Sequence, residues 1–189
     1  MKKPVLLITV VFLILGVLHP VLAQHNAAAD LLMNHYSARN YLTDPVSRAD
    51  LDRIVHAGVR APSAGNRQPW HFTIVQNHAL ARQLINNLTE GNALIIVSAL
   101  GDGKTNIVQT LDGALAVQSI YLAAQALGFG SRIYTNPIEN LNSRLKADFS
   151  IPEGYSAVAV IRVGKIQGPV DAVSSASARK NAQEIVTYK

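Results

Sequence analysis

Cysteine is absent from the 189-residue sequence. Its absence excludes disulfide bonds, thiolate catalysis, cysteine-based metal sites and lipid attachment through cysteine. Charge is also scarce, because 15% of the residues are charged and 49% are hydrophobic, a balance typical of an ordered globular protein. A chain of this length and composition is large enough for one domain with a hydrophobic core. The lack of cysteine does not by itself identify a cellular compartment.

Motifs for metal and hydrolytic chemistry are missing as well. The sequence has neither a Gly-x-Ser-x-Gly elbow nor a phosphate-binding loop. Five histidines do not pair with carboxylates at the spacing of metal ligands, namely His25, His35, His56, His71 and His78. We therefore expect no metal site and no side chain that must act as a general acid or base.

The N-terminus has the features of a secretory signal peptide in the required order. Lys2 and Lys3 precede an unbroken apolar run at 5–18, and a small-residue cleavage site ends at Ala23. The run is shorter than the roughly 20 residues of a membrane-spanning helix. Cleavage after Ala23 is therefore favoured over an uncleaved membrane anchor, and the lack of a paired arginine favours the general export route.

Export and cleavage would define the mature chain and its net charge. The sequence predicts a signal peptide at 1–23 and a single domain at 24–189, exported to the periplasm or secreted, with no stable membrane span after cleavage. Loss of Lys2 and Lys3 leaves 15 basic against 12 acidic residues, a net charge of +3. This charge is mild and has no basic stripe with interleaved aromatic residues, so we expect no nucleic-acid binding.

Hydrophobic periodicity predicts helices and strands in alternation. The predicted helices are at 26–36, 47–60, 78–88, 109–127 and 138–148, and the predicted strands are at 72–76, 93–100, 130–135 and 157–163. This order predicts an α+β fold in which helices cover a small central β-sheet. The helix at 109–127 is apolar nearly all round, which predicts that a partner subunit buries part of it.

One loop lies between a predicted helix and a predicted strand. Residues 61–72 read Ala-Pro-Ser-Ala-Gly-Asn-Arg-Gln-Pro-Trp-His-Phe, with two prolines, a glycine, a serine and an asparagine close together. Such a composition predicts a rigid, turn-rich segment with many polar groups. On composition alone it is also consistent with a helix end followed by a strand start, with Trp70 in the core and Arg67 as a surface charge.

The stretch from Pro62 to Trp70 resembles the signature loop of the flavin-dependent nitroreductase family. Ser37-Ala38-Arg39 is similar to the family's phosphate element Arg-x-Ser-x-Arg, with His35 in place of the leading arginine, a weaker and pH-dependent substitute. Without the resemblance, Arg39 would be read as a solvated charge at the end of a helix.

Two further stretches are similar to family motifs. Gly128 to Thr135 resembles the Leu-Gly-x-Gly-Ser stretch after the family's long helix, whose following backbone lies at the flavin ring. Arg179 to Val186 resembles a family tail whose arginine reaches the flavin phosphate, although a solvated tail charge is the plainer interpretation of Arg179. The resemblance covers roughly residues 30–186, nearly the whole mature chain.

The resemblance implies a nitroreductase-like fold with an extended C-terminal tail exchanged in an intertwined homodimer. It implies bound flavin mononucleotide (FMN) and a two-electron reduction of a nitroaromatic, quinone or similar small-molecule acceptor. The signature loop would approach the ring from the other subunit. The implied FMN-binding residues are His35, Tyr36, Ser37, Arg39, Pro62, Ser63, Ala64, Asn66, Gln68, Tyr134, Thr135, Asn136, Arg179 and Lys180.

Two alternatives stay open at this point. The family's donor is a reduced nicotinamide (NAD(P)H), but such donors are cytoplasmic, so an exported protein would use another donor such as an envelope electron carrier. The second alternative is a flavin fold that has lost turnover and serves as an envelope binding or interaction protein. His35 at the arginine position and the lack of a recognisable ligand for the polar edge of the ring motivate it.

Overall fold

A computed structural model describes residues 27–167 and 178–189 of the chain. The chain forms two units, residues 1–35 and residues 36–189. In the described part of the first unit, residues 27–34 form helix α1 as the periodicity predicts. The predicted signal peptide and its cleavage site lie outside the described residues, so both remain predictions, as does the single domain at 24–189.

The second unit is built from two long helices, several short ones and four strands. Its helices are α2 (Arg48–Val59), α3 (His78–Ala81), α4 (Ile107–Ala126), α5 (Ile138–Asn140, continuing as a π-helical turn at Leu141–Leu145) and α6 (Ala182–Ile185). Its strands are β1 (Trp70–Val75), β2 (Ala93–Leu100), β3 (Gly130–Tyr134) and β4 (Tyr155–Gly164). The predicted α+β fold with a small sheet is confirmed.

The sheet has the strand order β1-β2-β4-β3, and every neighbouring pair is antiparallel. The two central strands, β2 and β4, are buried along most of their length. A continuous apolar run such as residues 94–97 suits a central strand, because both faces of such a strand are covered. The two edge strands, β1 and β3, are only partly buried, which leaves one end of β3 open for a site.

Helices cover both faces of the sheet. On one face, α2 and α4 pack over a core whose fully buried members include Leu51, Ile54, Ile95, Ile120 and Ile161. On the other face, the segment from α3 to β2 and the segment from α5 to β4 enclose a second core that includes Leu94, Ile96, Leu141, Phe149 and Val160. The sheet is therefore the middle of three layers, which is a usual way to bury both faces of a sheet.

Helix α4 has a buried side and an exposed side that are both apolar. Ala116, Ile120 and Ala124 are fully buried. On other sides of the helix, an exposed apolar stripe consists of Ile107, Val108, Leu111 and Leu115, whose exposed fractions are 63%, 47%, 59% and 45%. By length and composition α4 is long and apolar enough to cross a membrane, but its buried side packs on the sheet as the helix of a protein core does.

Two predicted helices are wrong in extent. The α-helix predicted at 78–88 ends at Ala81, because the chain continues in tight i→i+3 turns such as Leu84 N–H to Ala81 C=O. The helix predicted at 138–148 is regular only to Asn140 and then widens into a π-helical turn. Both segments bury apolar side chains through turns, so their hydrophobic spacing imitates that of a regular helix.

Candidate functional site

The segment at 36–42 is held in an extended form beside β3. The backbone N–H of Ala38 donates to the carbonyl of Ser131 at 3.0 Å. The side-chain amide of Gln125 on α4 donates to the carbonyl of Tyr36 at 2.8 Å and accepts from its N–H at 3.2 Å, and the hydroxyl of Tyr121 donates to the same carbonyl. These bonds fix the backbone on which Ser37 and Arg39 are carried.

The side chains of this segment differ in exposure. Ser37 and Tyr36 are half-buried, and Arg39 is exposed. His35 is half-buried and is the last residue of the first unit. The predicted phosphate element therefore presents a hydroxyl and a guanidinium group, and residues 35–42 contain no carboxylate.

A buried arginine lies under this segment. Arg162 on β4 is 4% exposed, and its guanidinium carbon is 3.8 Å from the centre of the Tyr41 ring. Its Nε donates to Asn92 Oδ1 and its Nη2 donates to Thr89 Oγ1, both at 2.7 Å. Burial raises the pKa of the Tyr41 hydroxyl well above its usual value, although Arg162 acts in the opposite direction.

A second arginine lies directly opposite on the edge strand. Arg132 on β3 is the register partner of Arg162 on β4, and its guanidinium carbon is 4.7 Å from the centre of the Tyr134 ring. Arg132 is half-buried. Neither arginine is among the predicted site residues, although an arginine inside the apolar strand predicted at 157–163 was a usable signal.

The signature loop has a strained backbone. Three of its residues have positive φ angles, namely Gly65 at 59°, Asn66 at 55° and Gln68 at 50°. Ser63 closes the loop, because its Oγ accepts from the N–H of Gln68 and its carbonyl accepts from the N–H of Asn66, each at 3.0 Å. Residues in sparsely populated backbone regions cluster at functional sites, and the side chains of 64–68 are exposed.

Helix α4 holds this loop through one acidic residue. Oδ1 of Asp112 accepts a hydrogen bond from the backbone N–H of Ala64 at 2.9 Å. Asp112 is 4% exposed, and its Oδ2 has no hydrogen-bond partner among the residues that the structure describes. Asp112 is not among the predicted site residues, although an acidic residue in a nearly all-apolar helix was a usable signal.

A groove lies where β3 ends. Its volume is about 700 Å³, and its lining includes Asp102, Thr110, Thr135, Asn142 and Val158. It is bounded by the loop after β2, by α4, by α5 and by β4. Thr135 is the residue that directly follows β3, so the groove begins at the stretch where the resemblance places the flavin ring.

The loop at one edge of the groove is organised by Asp102. Its Oδ1 accepts from the backbone N–H of Thr105 at 2.7 Å and from that of Lys104 at 2.8 Å. These bonds, with one from the hydroxyl of Thr105, lower the pKa of Asp102 to about 2. The carboxylate is exposed, so its charge serves the loop conformation rather than a buried ion pair.

Within one chain, two parts of the predicted site, the signature loop and the segment at 36–42, lie far apart. The signature loop bonds to α4 at Asp112, and the segment at 36–42 bonds to α4 at Gln125. Thirteen residues separate these positions on the helix, which corresponds to about 20 Å. Of the predicted residues Tyr134, Thr135 and Asn136, Thr135 lines the groove.

The remaining predicted residues are outside these contacts. Pro62 is exposed at the start of the signature loop. Arg179 and Lys180 are exposed and follow the part of the chain, residues 168–177, that the structure does not describe. Their roles stay predictions, as do those of all the candidate FMN-binding residues.

The comparisons with known proteins agree on one family. The profile of the nitroreductase family matches residues 32–106. An Archaeoglobus fulgidus protein with the provisional name NADH dehydrogenase/NAD(P)H nitroreductase is 30% identical over 143 residues, which cover 71% of this chain and 82% of that protein.

Two solved structures show a similar fold over most of their length. A provisionally named NADH oxidase from Clostridium acetobutylicum is 27% identical, with a TM-score of 0.69 over 85% of this chain and 99% of that one. A Desulfovibrio desulfuricans protein, provisionally called a nitroreductase and crystallised in complex with FMN, is 25% identical, with a TM-score of 0.70 over 85% of this chain and 95% of that one.

Proposed function

Because the chain belongs to the nitroreductase family, we propose that it is an FMN-dependent oxidoreductase. It takes two electrons from a donor and passes them to a small acceptor such as a nitroaromatic or a quinone. The observation that carries this proposal is the groove of about 700 Å³ at the end of β3. The segment at 36–42 bonds to the same strand at Ser131, so β3 links donors for a phosphate tail with a groove for a planar ring.

The residues present fit FMN in their chemistry. A phosphate dianion needs hydroxyl and cationic donors, and Ser37 and Arg39 supply one of each on a segment without carboxylates. The backbone of this segment is fixed by Gln125 and Ser131, so these donors need little ordering on binding. The groove supplies polar groups at Thr135 and Asn142 next to apolar side chains.

In the proposed mechanism the protein binds and orients while the cofactor, when bound, carries two-electron transfer. Ser37 and Arg39 would hold the phosphate, and the backbone after Tyr134 would contact the ring. The walls of the groove would exclude water from the part of the ring that they cover. The protons that a two-electron reduction consumes would come from the donor and from solvent, so the side chains would determine position and potential without a dedicated acid or base.

We also infer that the working site needs a second copy of the chain. The signature loop and the segment at 36–42 are about 20 Å apart along α4 in one chain. The exposed apolar stripe of α4 lies on the same helix that holds the loop through Asp112. A homodimer packed on this stripe would cover it and bring the loop of one subunit toward the groove of the other.

The N-terminal sequence bears on both the electron donor and the cellular location. We propose that the chain is exported, and that a reduced nicotinamide or an envelope electron carrier is the donor. A fusion of residues 1–23 to a reporter enzyme tests the location, because export predicts reporter activity outside the cytoplasm. Cytoplasmic reporter activity alone would contradict export and favour a reduced nicotinamide.

The experiment that tests the proposed function is the absorbance spectrum of the purified protein before and after release of its ligand by heat. We expect released FMN at about one per subunit, and bleaching of the bound flavin by a two-electron donor with recovery on addition of a quinone. A colourless protein that also fails to bind added FMN would contradict the proposal. The comparisons do not favour the alternative of a flavin fold without turnover, because the relative from Archaeoglobus carries the name of a reductase.

A further inference from the structure

Arg132 and Arg162 face each other across two neighbouring strands. They are register partners on β3 and β4, so both side chains lie on the same face of the sheet. Like charges at directly opposed positions are unfavourable. Neither guanidinium forms an ion pair with a carboxylate in the described ranges 27–167 and 178–189. The pair therefore carries two positive charges without a counter-charge from those residues.

The two arginines differ in what they contact. Arg162 is 4% exposed and uses its N–H groups on Asn92 and Thr89, while its face lies on the Tyr41 ring. Arg132 is half-buried and stacks on Tyr134, and its N–H groups have no hydrogen-bond partner in the part of the chain that the structure describes. The N–H groups of Arg162 therefore bind residues of the fold itself, whereas the N–H groups of Arg132 can donate hydrogen bonds to a ligand.

The position of the pair connects it to the segment at 36–42. Tyr41 of that segment interacts electrostatically with both Arg162 and Arg132. The neighbour of Arg132 in β3, Ser131, accepts the hydrogen bond from Ala38. The guanidinium of Arg132 is therefore close to the segment that carries Ser37 and Arg39, on the same strand whose far end opens into the groove.

We propose that Arg132 is a further phosphate-binding residue, and that the buried charge of Arg162 behind it strengthens the attraction for an anion. The ligand class is a phosphate monoester, and the proposal rests on the proposed function in that the monoester is that of FMN. Arg132 then supplies a guanidinium charge, which is permanent in proteins. A phosphate dianion would also relieve the repulsion between the two opposed guanidinium groups.

The test compares the affinity of the apoprotein for FMN with its affinity for riboflavin, which lacks the phosphate. In Arg132→Gln we expect the dissociation constant for FMN to rise about 10- to 100-fold, as for loss of a charged hydrogen bond. The constant for riboflavin should stay within about twofold. Arg132→Lys, which keeps the charge, should lose less. Arg48→Gln removes an exposed arginine on α2, on the other side of the sheet, and should change neither constant.

A second measurement uses inorganic phosphate as competitor. Phosphate should weaken FMN binding to the wild-type protein, and weaken it less in Arg132→Gln. Equal FMN affinity in Arg132→Gln and the wild type, or an equal loss for FMN and riboflavin, would overturn the role of Arg132 while leaving the proposed function intact. A wild-type protein that binds neither flavin would overturn both proposals together. Circular dichroism melting confirms that each variant is folded before its affinity is interpreted.

Discussion

Asp112 and Ala64 are joined by a hydrogen bond of 2.9 Å between a buried carboxylate oxygen and a backbone N–H. Through this bond the longest helix of the chain holds a loop whose backbone has three residues at positive φ. Such conformations cost roughly 1–3 kcal/mol each when the residue has a side chain. The shape of the signature loop therefore depends on a contact outside its own sequence.

Replacing Asp112 with alanine should loosen the loop, whereas asparagine should preserve it. Asparagine keeps an oxygen that can accept from Ala64, and it removes a buried charge that has no cationic partner among the described residues. We expect the amide of Ala64 to exchange with solvent about tenfold faster in Asp112→Ala, as for loss of roughly 1.4 kcal/mol. Hydrogen exchange followed by NMR measures this, and Asp148→Ala serves as a control because that acid is exposed elsewhere. Faster exchange in Asp112→Asn as well would contradict this role.

The stack of Arg162 on Tyr41 predicts a difference between two substitutions of the tyrosine. Tyr41→Phe keeps the ring and loses only a long hydrogen bond of 3.3 Å to the carbonyl of Ala38, so stability should fall by less than about 1 kcal/mol. Tyr41→Leu removes the ring beneath a buried guanidinium and should cost about 2–4 kcal/mol. Urea denaturation gives both values. Similar losses for the two variants would show that the ring does not support the charge.

Gly58 predicts that close packing outweighs helix propensity. In the middle of a helix, alanine is favoured over glycine by about 1 kcal/mol. A Cβ at position 58 would lie 2.6 Å from Ile120 Cδ1 and 3.2 Å from the ring of Phe72. We expect Gly58→Ala to destabilise the protein by about 1–3 kcal/mol. Ile120→Val should offset part of that loss in the double variant, and strict additivity in thermal melts would be evidence against the clash.

Asp102 predicts a stability change at low pH. Its folded-state pKa of about 2 lies below its ordinary pKa of 3.8, so its contribution to stability is present above about pH 4. The contribution is lost as the pH falls from about 4 through 2. NMR titration of the Asp102 carboxyl carbon should give a midpoint near 2. Asp102→Asn should lack this part of the pH dependence of the melting temperature, and a midpoint near 3.8 would rule out the bonds to Thr105 and Lys104 in solution.

The exposed stripe of α4 predicts the assembly state. Leu111→Glu places a charge in the centre of the stripe, where 59% of the leucine is exposed in one chain. If the stripe is covered by a second copy, light scattering should show a dimer for the wild type and a monomer for the variant. Ala147→Glu adds the same charge at an exposed turn on the other face of the sheet and should remain dimeric. A monomeric wild type would contradict the proposed two-copy site.

Sequence patterns predicted the bounds of a helix or strand well where its apolar run is long and continuous. The apolar run in β2 predicted a strand at 93–100, and the structure has Ala93–Leu100. The long apolar run of α4 predicted a helix at 109–127, and the helix is Ile107–Ala126. The shorter segments after His78 and Ile138 were extended too far, because contacts with the sheet decide where such segments stop being helical.

The sequence by itself also determined the local features of the site. The turn residues of the signature loop, the Ser37-Ala38-Arg39 element and the glycine after α4 are all contiguous, so local chemistry is enough to recognise them. The family follows from these stretches, and the similarity to known relatives confirms it.

Only the tertiary structure decided which distant residues meet. The bond from Ala64 to Asp112 joins positions 48 residues apart, and strand register alone sets Arg132 opposite Arg162. A shift of one residue in that register would move one arginine to the other face of the sheet. The same side chains would then no longer form a doubly charged site, because strand pairing and helix packing bring together charges that the chain order keeps apart.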